Sequence, residues 1–164
     1  MNSPSCPELT DGVILLRALR AEEAAHHLAG EDDKTAKWLS GGRSTLTNVQ
    51  DYITRCQENW RSNGPLRAFG VFDCRTGQLI GSIEANLAYI LEPDQVNVSY
   101  SVFPEWRGQG VALRALDLMG EYLAEAAEAR QMILRILPAN TSSVKLAAKA
   151  GCVFLGVFDE ANGT

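Results

Sequence analysis

Apolar and polar positions change their period several times along the chain, and each change marks an element. The run GVILLRAL (12–19) reads as a first strand, and AEEAAHHLAG (21–30) as a short helix ending at Gly30. Residues 31–47 are polar and punctuated by glycine, the pattern of a partly helical surface loop. Over 48–64, Val49, Ile53, Cys56 and Trp60 recur at helical spacing, and Asn63-Gly64-Pro65 then stops the helix.

After that stop the period shortens. LRAFGVFD (66–73) reads as a strand, 73–78 as a polar turn and LIGSIEANLAYI (79–90) as the returning strand. Leu91-Glu92-Pro93-Asp94 makes a further turn before the strand QVNVSYSVF (95–103), so three strands form an antiparallel meander. A helical stripe of Val111, Ala115, Leu118, Met119 and Tyr122 follows within 111–129. QMILRILP (131–138) is expected as a strand, 140–151 as a helix capped by Asn140 and stopped by Gly151, and CVFLGVF (152–158) as one more strand. Strand, helix and strand across 95–137 make a crossover unit, which predicts a parallel pair. The fold class is therefore α/β (α+β), with flanking helices and a mixed, mostly antiparallel sheet.

The 164 residues suit one domain, long enough to bury about two-thirds of the unfolded surface. No apolar run approaches the roughly 20 residues of a membrane span, and MNSPSCPELT has no secretory pattern, so no membrane role and a cytoplasmic location are expected. The net charge of −5 argues against a nucleic-acid backbone as partner and is compatible with a cationic substrate. Cys6, Cys56, Cys74 and Cys152 are scattered without metal-ligand spacing, and adjacent His26 and His27 cannot share a helix face. No metal site is expected, and both histidines are expected to be exposed.

The chemistry concentrates in RGQGVA (107–112), where a strand hands over to a helix. The first N–H groups of that helix have no intrahelical partners, and the helix dipole favours an anion there. Gly108 and Gly110 permit positive φ and close approach, and Arg107 adds a fork of donors. The arrangement suits a phosphate cradle, although a glycine-softened turn with a solvated arginine has the same sequence. No lysine follows Gly110 as a Walker loop requires, and Leu113 occupies the third glycine position of a dinucleotide fingerprint.

RGQGVA resembles the R/Q-x-x-G-x-G/A loop of the GCN5-related N-acetyltransferases, the GNAT superfamily. A second match, NTSSVKLAAKAGC (140–152), is similar to the family's N-x-x-[SA]-x-x-[LV]-x-x-[KR]-x-G-[FC] segment. Together they extend the resemblance from about residue 66 to 158. VSYSVFPEWRGQGVALRAL is similar to the branch containing ribosomal-protein alanine N-acetyltransferases, with Ser99-Tyr100-Ser101-Val102 replacing a G-Y-W-V-like stretch. The resemblance implies a single acyl-CoA N-acyltransferase domain over 1–164, with acetyl-CoA as co-substrate and two parallel strands that splay to admit it. Arg107, Gly108, Gln109, Gly110, Val111 and Ala112 would hold the pyrophosphate. Tyr100, Ser101 and Val102 would face the pantetheine and thioester through their backbone, and Asn140 and Ser143 would line the cofactor arm.

Glu84 alternates with apolar neighbours on its strand and is the candidate general base; an ordinary solvent-facing glutamate fits the same pattern. Glu92 and Asp94 are weaker candidates in a turn. Where many family members carry a tyrosine acid, this chain has Ala147, and Ser143 is the nearest substitute. Family members usually have another strand after 152–158, whereas here only DEANGT follows. Two readings stay open for that strand: a shortened chain, or a sheet completed by a second copy in a homodimer. The function implied is acetyl transfer to a primary amine, foremost a protein N-terminal α-amine. A small cationic amine such as an aminoglycoside or polyamine is the alternative acceptor, and a non-catalytic acyl-CoA-binding protein is the alternative from another class.

Overall fold

The structure, a computed structural model, describes residues 6–36, 42–88, 92, 94–126 and 129–157. The expected turn at 91–94 lies partly outside the described residues, as do Phe158 and the tail beyond it. One six-stranded sheet runs in sequence order: β1 (Leu9–Thr10), β2 (Ile14–Arg17), β3 (Leu66–Asp73), β4 (Leu79–Asn86), β5 (Gln95–Val102) and β6 (Gln131–Ile133). Neighbours are antiparallel except β5 and β6, which are parallel as the crossover requires. The helices are α1 (Ala24–Ala29), α2 (Asp33–Thr35), α3 (Leu46–Ser62), α4 (Val111–Glu125) and α5 (Thr141–Lys149).

Local signals account for the helix limits. Thr45 and Asn48 form a reciprocal capping box at the start of α3, and Asn63 ends it in the left-handed conformation. Val49, Ile53, Cys56 and Trp60 are its buried stripe, matching the spacing in the sequence. β3 is buried at every position from Arg67 to Phe72, so it is the central strand with both faces covered. One apolar cluster packs Phe69, Val71, Ile83 and Val98 against Ala115 and Met119 of α4. A second joins Leu19, Ala24, Val49, Ile53 and Phe72 with Phe103. Trp60, Phe69 and Tyr122 meet edge to face, with centroids 5.1–5.9 Å apart, and tie α3 and α4 to β3.

Several expected strands are shorter or absent, and the one expected over 79–90 ends at Asn86, with Leu87 and Ala88 in a turn. β6 covers only 131–133 of the expected 131–138, and 152–157 forms no strand. Val153, Phe154, Leu155 and Val157 are each at least 67% exposed. Their composition favours a strand, but a strand needs a partner edge, and no described residue pairs with them. The expected first strand, 12–19, is shortened to β2, and β1 precedes it as a strand that the sequence pattern did not show, the chain turning between them at Asp11 and Gly12. The short helix begins as a 3₁₀ turn at Ala21–Glu23.

Phe69 is fully buried at the junction of β3, α3 and α4. Phe69→Ala is expected to lower unfolding free energy by about 3–5 kcal/mol through lost transfer energy and a residual cavity. Urea denaturation followed by tryptophan fluorescence checks this, and a loss below about 1 kcal/mol would show that the site repacks.

Candidate active site

The site begins where β5 outlives its parallel partner. The β5–β6 ladder holds at Gln95↔Gln131, Val96↔Met132 and Asn97↔Ile133, whereas β5 continues pairing with β4 as far as Val102. Among the described residues no strand faces β5 from Val98 to Val102 on that side, so its backbone donors and acceptors there are open to a ligand.

Past Val102, a 3₁₀ turn at Pro104–Trp106 leads into the glycine loop and α4. Gly108 and Gly110 have φ of +75° and +79°, and a Cβ at either would meet nothing within 4 Å. Glycine is needed there for backbone handedness rather than for space. Gly110 is the N-cap of α4 and supplies no side-chain cap, so the first N–H groups of this 15-residue helix face outward unpaired.

A cleft of about 300 Å³ opens over that helix start. Tyr100, Ser101, Val102, Arg107, Gly108, Gly110, Val111, Ala112, Asn140 and Ser143 all line it. Gln109 does not; its amide donates to the Glu105 carbonyl at 3.1 Å. Asn140 caps α5, accepting from the Ser143 N–H at 3.4 Å, while it lines the cleft. Lys34 and Lys149 add positive charge to the lining. Unpaired helix amides, left-handed glycines and two lysines suit a phosphate-bearing ligand. The Tyr100 hydroxyl is buried, and burial raises its pKa above the usual phenol value against the opposing effect of the neighbouring Ser143 side chain.

Arg107 is committed elsewhere. Its guanidinium donates to both Asp32 carboxylate oxygens, at 2.7 and 3.0 Å, and its Nε donates to the Val102 carbonyl at 3.0 Å. The Arg107 hydrogen bonds hold the Asp32 carboxyl well below its ordinary range, aided by the Thr35 N–H. A carboxyl depressed in the folded state contributes stability above its unfolded pKa, about 3.9. That contribution is lost only as pH falls through the lowered folded value, so the pair persists throughout the neutral range.

Glu84 lies in a second cavity of about 330 Å³, reached across β5. Thr35, Tyr100 and Ser101 line both cavities. Glu84 accepts from the Tyr52 hydroxyl at 2.5 Å and from the Ser99 hydroxyl at 3.5 Å. Burial, then the Glu84 charge, raises the Tyr52 pKa well above the usual value, so the phenol remains a donor. Ser82 and Glu84 of β4 thus face a cavity rather than open solvent. His27 corrects another expectation: it lines this cavity, half-buried, with both ring nitrogens unpartnered. Burial lowers its pKa against the opposing Glu31 charge, which keeps the imidazole neutral at neutral pH. Sequence reasoning missed Tyr52, although it stands four residues before Cys56, beside the buried stripe of α3.

A family model described as an acetyltransferase (GNAT) domain matches residues 14–153. The chain belongs to the GNAT acetyltransferase family. It is an acetyl-CoA-dependent N-acetyltransferase. No curated protein matches it closely by sequence. Among solved structures, a GNAT-family acetyltransferase from Bacillus anthracis is similar at 17% identity and TM-score 0.78, covering 93% of this chain and 87% of that one. A ribosomal-protein-S5-alanine acetyltransferase from Vibrio fischeri is similar at 20% identity and TM-score 0.76, covering 92% and 85%. An aminoglycoside acetyltransferase, AAC(6')-Ib in complex with coenzyme A, is similar at 17% identity and TM-score 0.69, covering 84% and 83%. These likenesses confirm the GNAT-like mixed sheet expected from the two motifs. Among the described residues, no helix is long and apolar enough to cross a membrane.

Gly110→Ala forces a side chain into the left-handed region, costing about 1–2 kcal/mol or shifting the helix start. The variant is expected to melt lower and to bind acetyl-CoA more weakly in calorimetry. Unchanged binding would place the phosphates away from the α4 N-terminus.

Proposed function

We propose that this N-acetyltransferase acetylates a primary amine, foremost a protein N-terminal α-amine, seated in the Glu84 cavity. The observation that carries this reading is the Glu84 carboxylate, held by Tyr52 and Ser99 in a cavity that shares Tyr100 and Ser101 with the cofactor cleft. Acetyl-CoA supplies the activated acyl group. The α4 N-terminus holds its phosphates, and the open edge of β5 meets its pantetheine and thioester carbonyl. Backbone donors on that edge stabilise the charge that develops on the carbonyl oxygen.

The attacking nitrogen must be neutral. An α-amine with pKa about 8 is roughly one-tenth neutral near pH 7, whereas lysine at about 10.4 is below one in a thousand. Glu84 binds the ammonium and accepts its proton; the free amine then forms a bond to the thioester carbon and passes its second proton to solvent as the carbon–sulfur bond breaks. The departing thiolate takes a proton from the Ser143 side of the cleft, where the neutral Tyr100 phenol stands in place of the acid that Ala147 cannot provide. A second reading, a small cationic amine as acceptor, is favoured by Glu31, which adds a second carboxylate to the Glu84 cavity.

Thiol release from acetyl-CoA distinguishes the acceptors: a peptide with a free N-terminal alanine, its N-blocked counterpart bearing one lysine, spermidine and an aminoglycoside. The free N-terminus is expected to react fastest, and preference for spermidine or the aminoglycoside would establish the second reading. Glu84→Gln is expected to lower kcat by about 10²-fold while leaving acetyl-CoA affinity within twofold. Full activity in that variant would remove Glu84 from the proton path.

A further inference from the structure

Residues 31–36, which follow α1 and contain α2, stand between the two cavities. Thr35 faces both, Glu31 lines the acceptor side, and Lys34 lines the cofactor side. Each neighbour on this segment is anchored to a different part of the fold. Glu31 accepts from the Ser44 N–H at 2.8 Å, Asp32 pairs with Arg107, and Lys34 donates to the Ser142 hydroxyl at 3.1 Å. The Asp32–Arg107 pair is the strongest of the three by geometry: it is bidentate, charged on both sides and about two-thirds shielded, with 31% exposure of each side chain. Arg107 also donates to the Thr35 hydroxyl at 3.3 Å, so one guanidinium holds Asp32, Thr35 and the end of β5 together.

We infer that Asp32 and Arg107 are a positioning pair: they hold residues 31–36 as the common wall of the cofactor cleft and the acceptor cavity. Arg107 therefore supports acetyl-CoA binding through that wall, without lending its charge to the pyrophosphate. This rests on the reading of the cleft as the acetyl-CoA site. It assigns Asp32 a role that the sequence pattern does not suggest, and it changes the role expected of Arg107.

The inference makes a prediction of opposite sign to the simple electrostatic one. Asp32 is an anion beside a site for an anion. If Arg107 met the pyrophosphate directly, Asp32→Asn would release the guanidinium, remove a repulsive charge and tighten acetyl-CoA binding. If the pair holds the wall, the same change weakens binding. Asparagine is a good test residue because it still caps α2: Asp32 Oδ1 accepts from the Thr35 N–H at 2.9 Å, and an asparagine oxygen does the same.

The experiment is calorimetric titration of acetyl-CoA into the wild-type protein, Asp32→Asn, Arg107→Ala and the double variant, with hydrogen exchange on each. Asp32→Asn is expected to weaken binding about five- to tenfold, and the double variant is expected to be no weaker than Arg107→Ala alone, since both changes break one pair. Amides at 35 and 36 should exchange faster, while protection of β3, β4 and β5 stays unchanged, which excludes general unfolding. Unchanged or tighter binding by Asp32→Asn, losses that add in the double variant, or unaltered exchange at 35 and 36 would each overturn the inference. Failure of the wild-type protein to bind acetyl-CoA would instead defeat the reading of the cleft, and this inference with it.

Discussion

The parting of β5 from β6 after three rungs is the constraint on which the site depends. Backbone groups along a sheet are obligatory hydrogen-bonding groups, and a strand left unpaired on one side must find water, another chain or a ligand. This fold leaves that edge open where β5 hands over to α4, so unpaired strand groups and unpaired helix N–H groups face the same space. A ligand with an amide-bearing arm and a phosphate at its far end satisfies both. Extending β6 along 134–137 would strengthen the sheet and close the entrance.

The charged groups around that opening are divided by function. Arg107 is neutralised inside the protein, leaving Lys34 and Lys149 as cations on the cleft lining. On the other side of β5, Glu84 accepts from two hydroxyl donors, which orient its carboxyl group. In the proposed function, the anionic end of one substrate and the cationic end of the other would be recognised on opposite sides of the same strand. Residues 31–36 touch both spaces, so their placement bears on both binding events at once.

Much of this was legible from residue order. The stripe Val49, Ile53, Cys56 and Trp60 identified α3, the bounds of β3 were read to the residue, and Gly108 and Gly110 marked a backbone turn that only glycine adopts freely. Other features were not legible. His27 reads as a surface residue from its neighbour and its helix, yet Phe103 and Tyr52 cover it from distant parts of the chain. The apolar run 153–157 reads as a strand, but pairing is a property of two strands, and its residues stand exposed.

Sequence by itself determined α3, β3, α4, the crossover that makes β5 and β6 parallel, and the glycine loop. These rest on local periods and on backbone handedness, which a few neighbouring residues dictate. Tertiary structure alone decided that Arg107 faces Asp32 and that Glu84 meets Tyr52. Those contacts span 75 and 32 residues, and no local spacing encodes which distant partner will quench a charge.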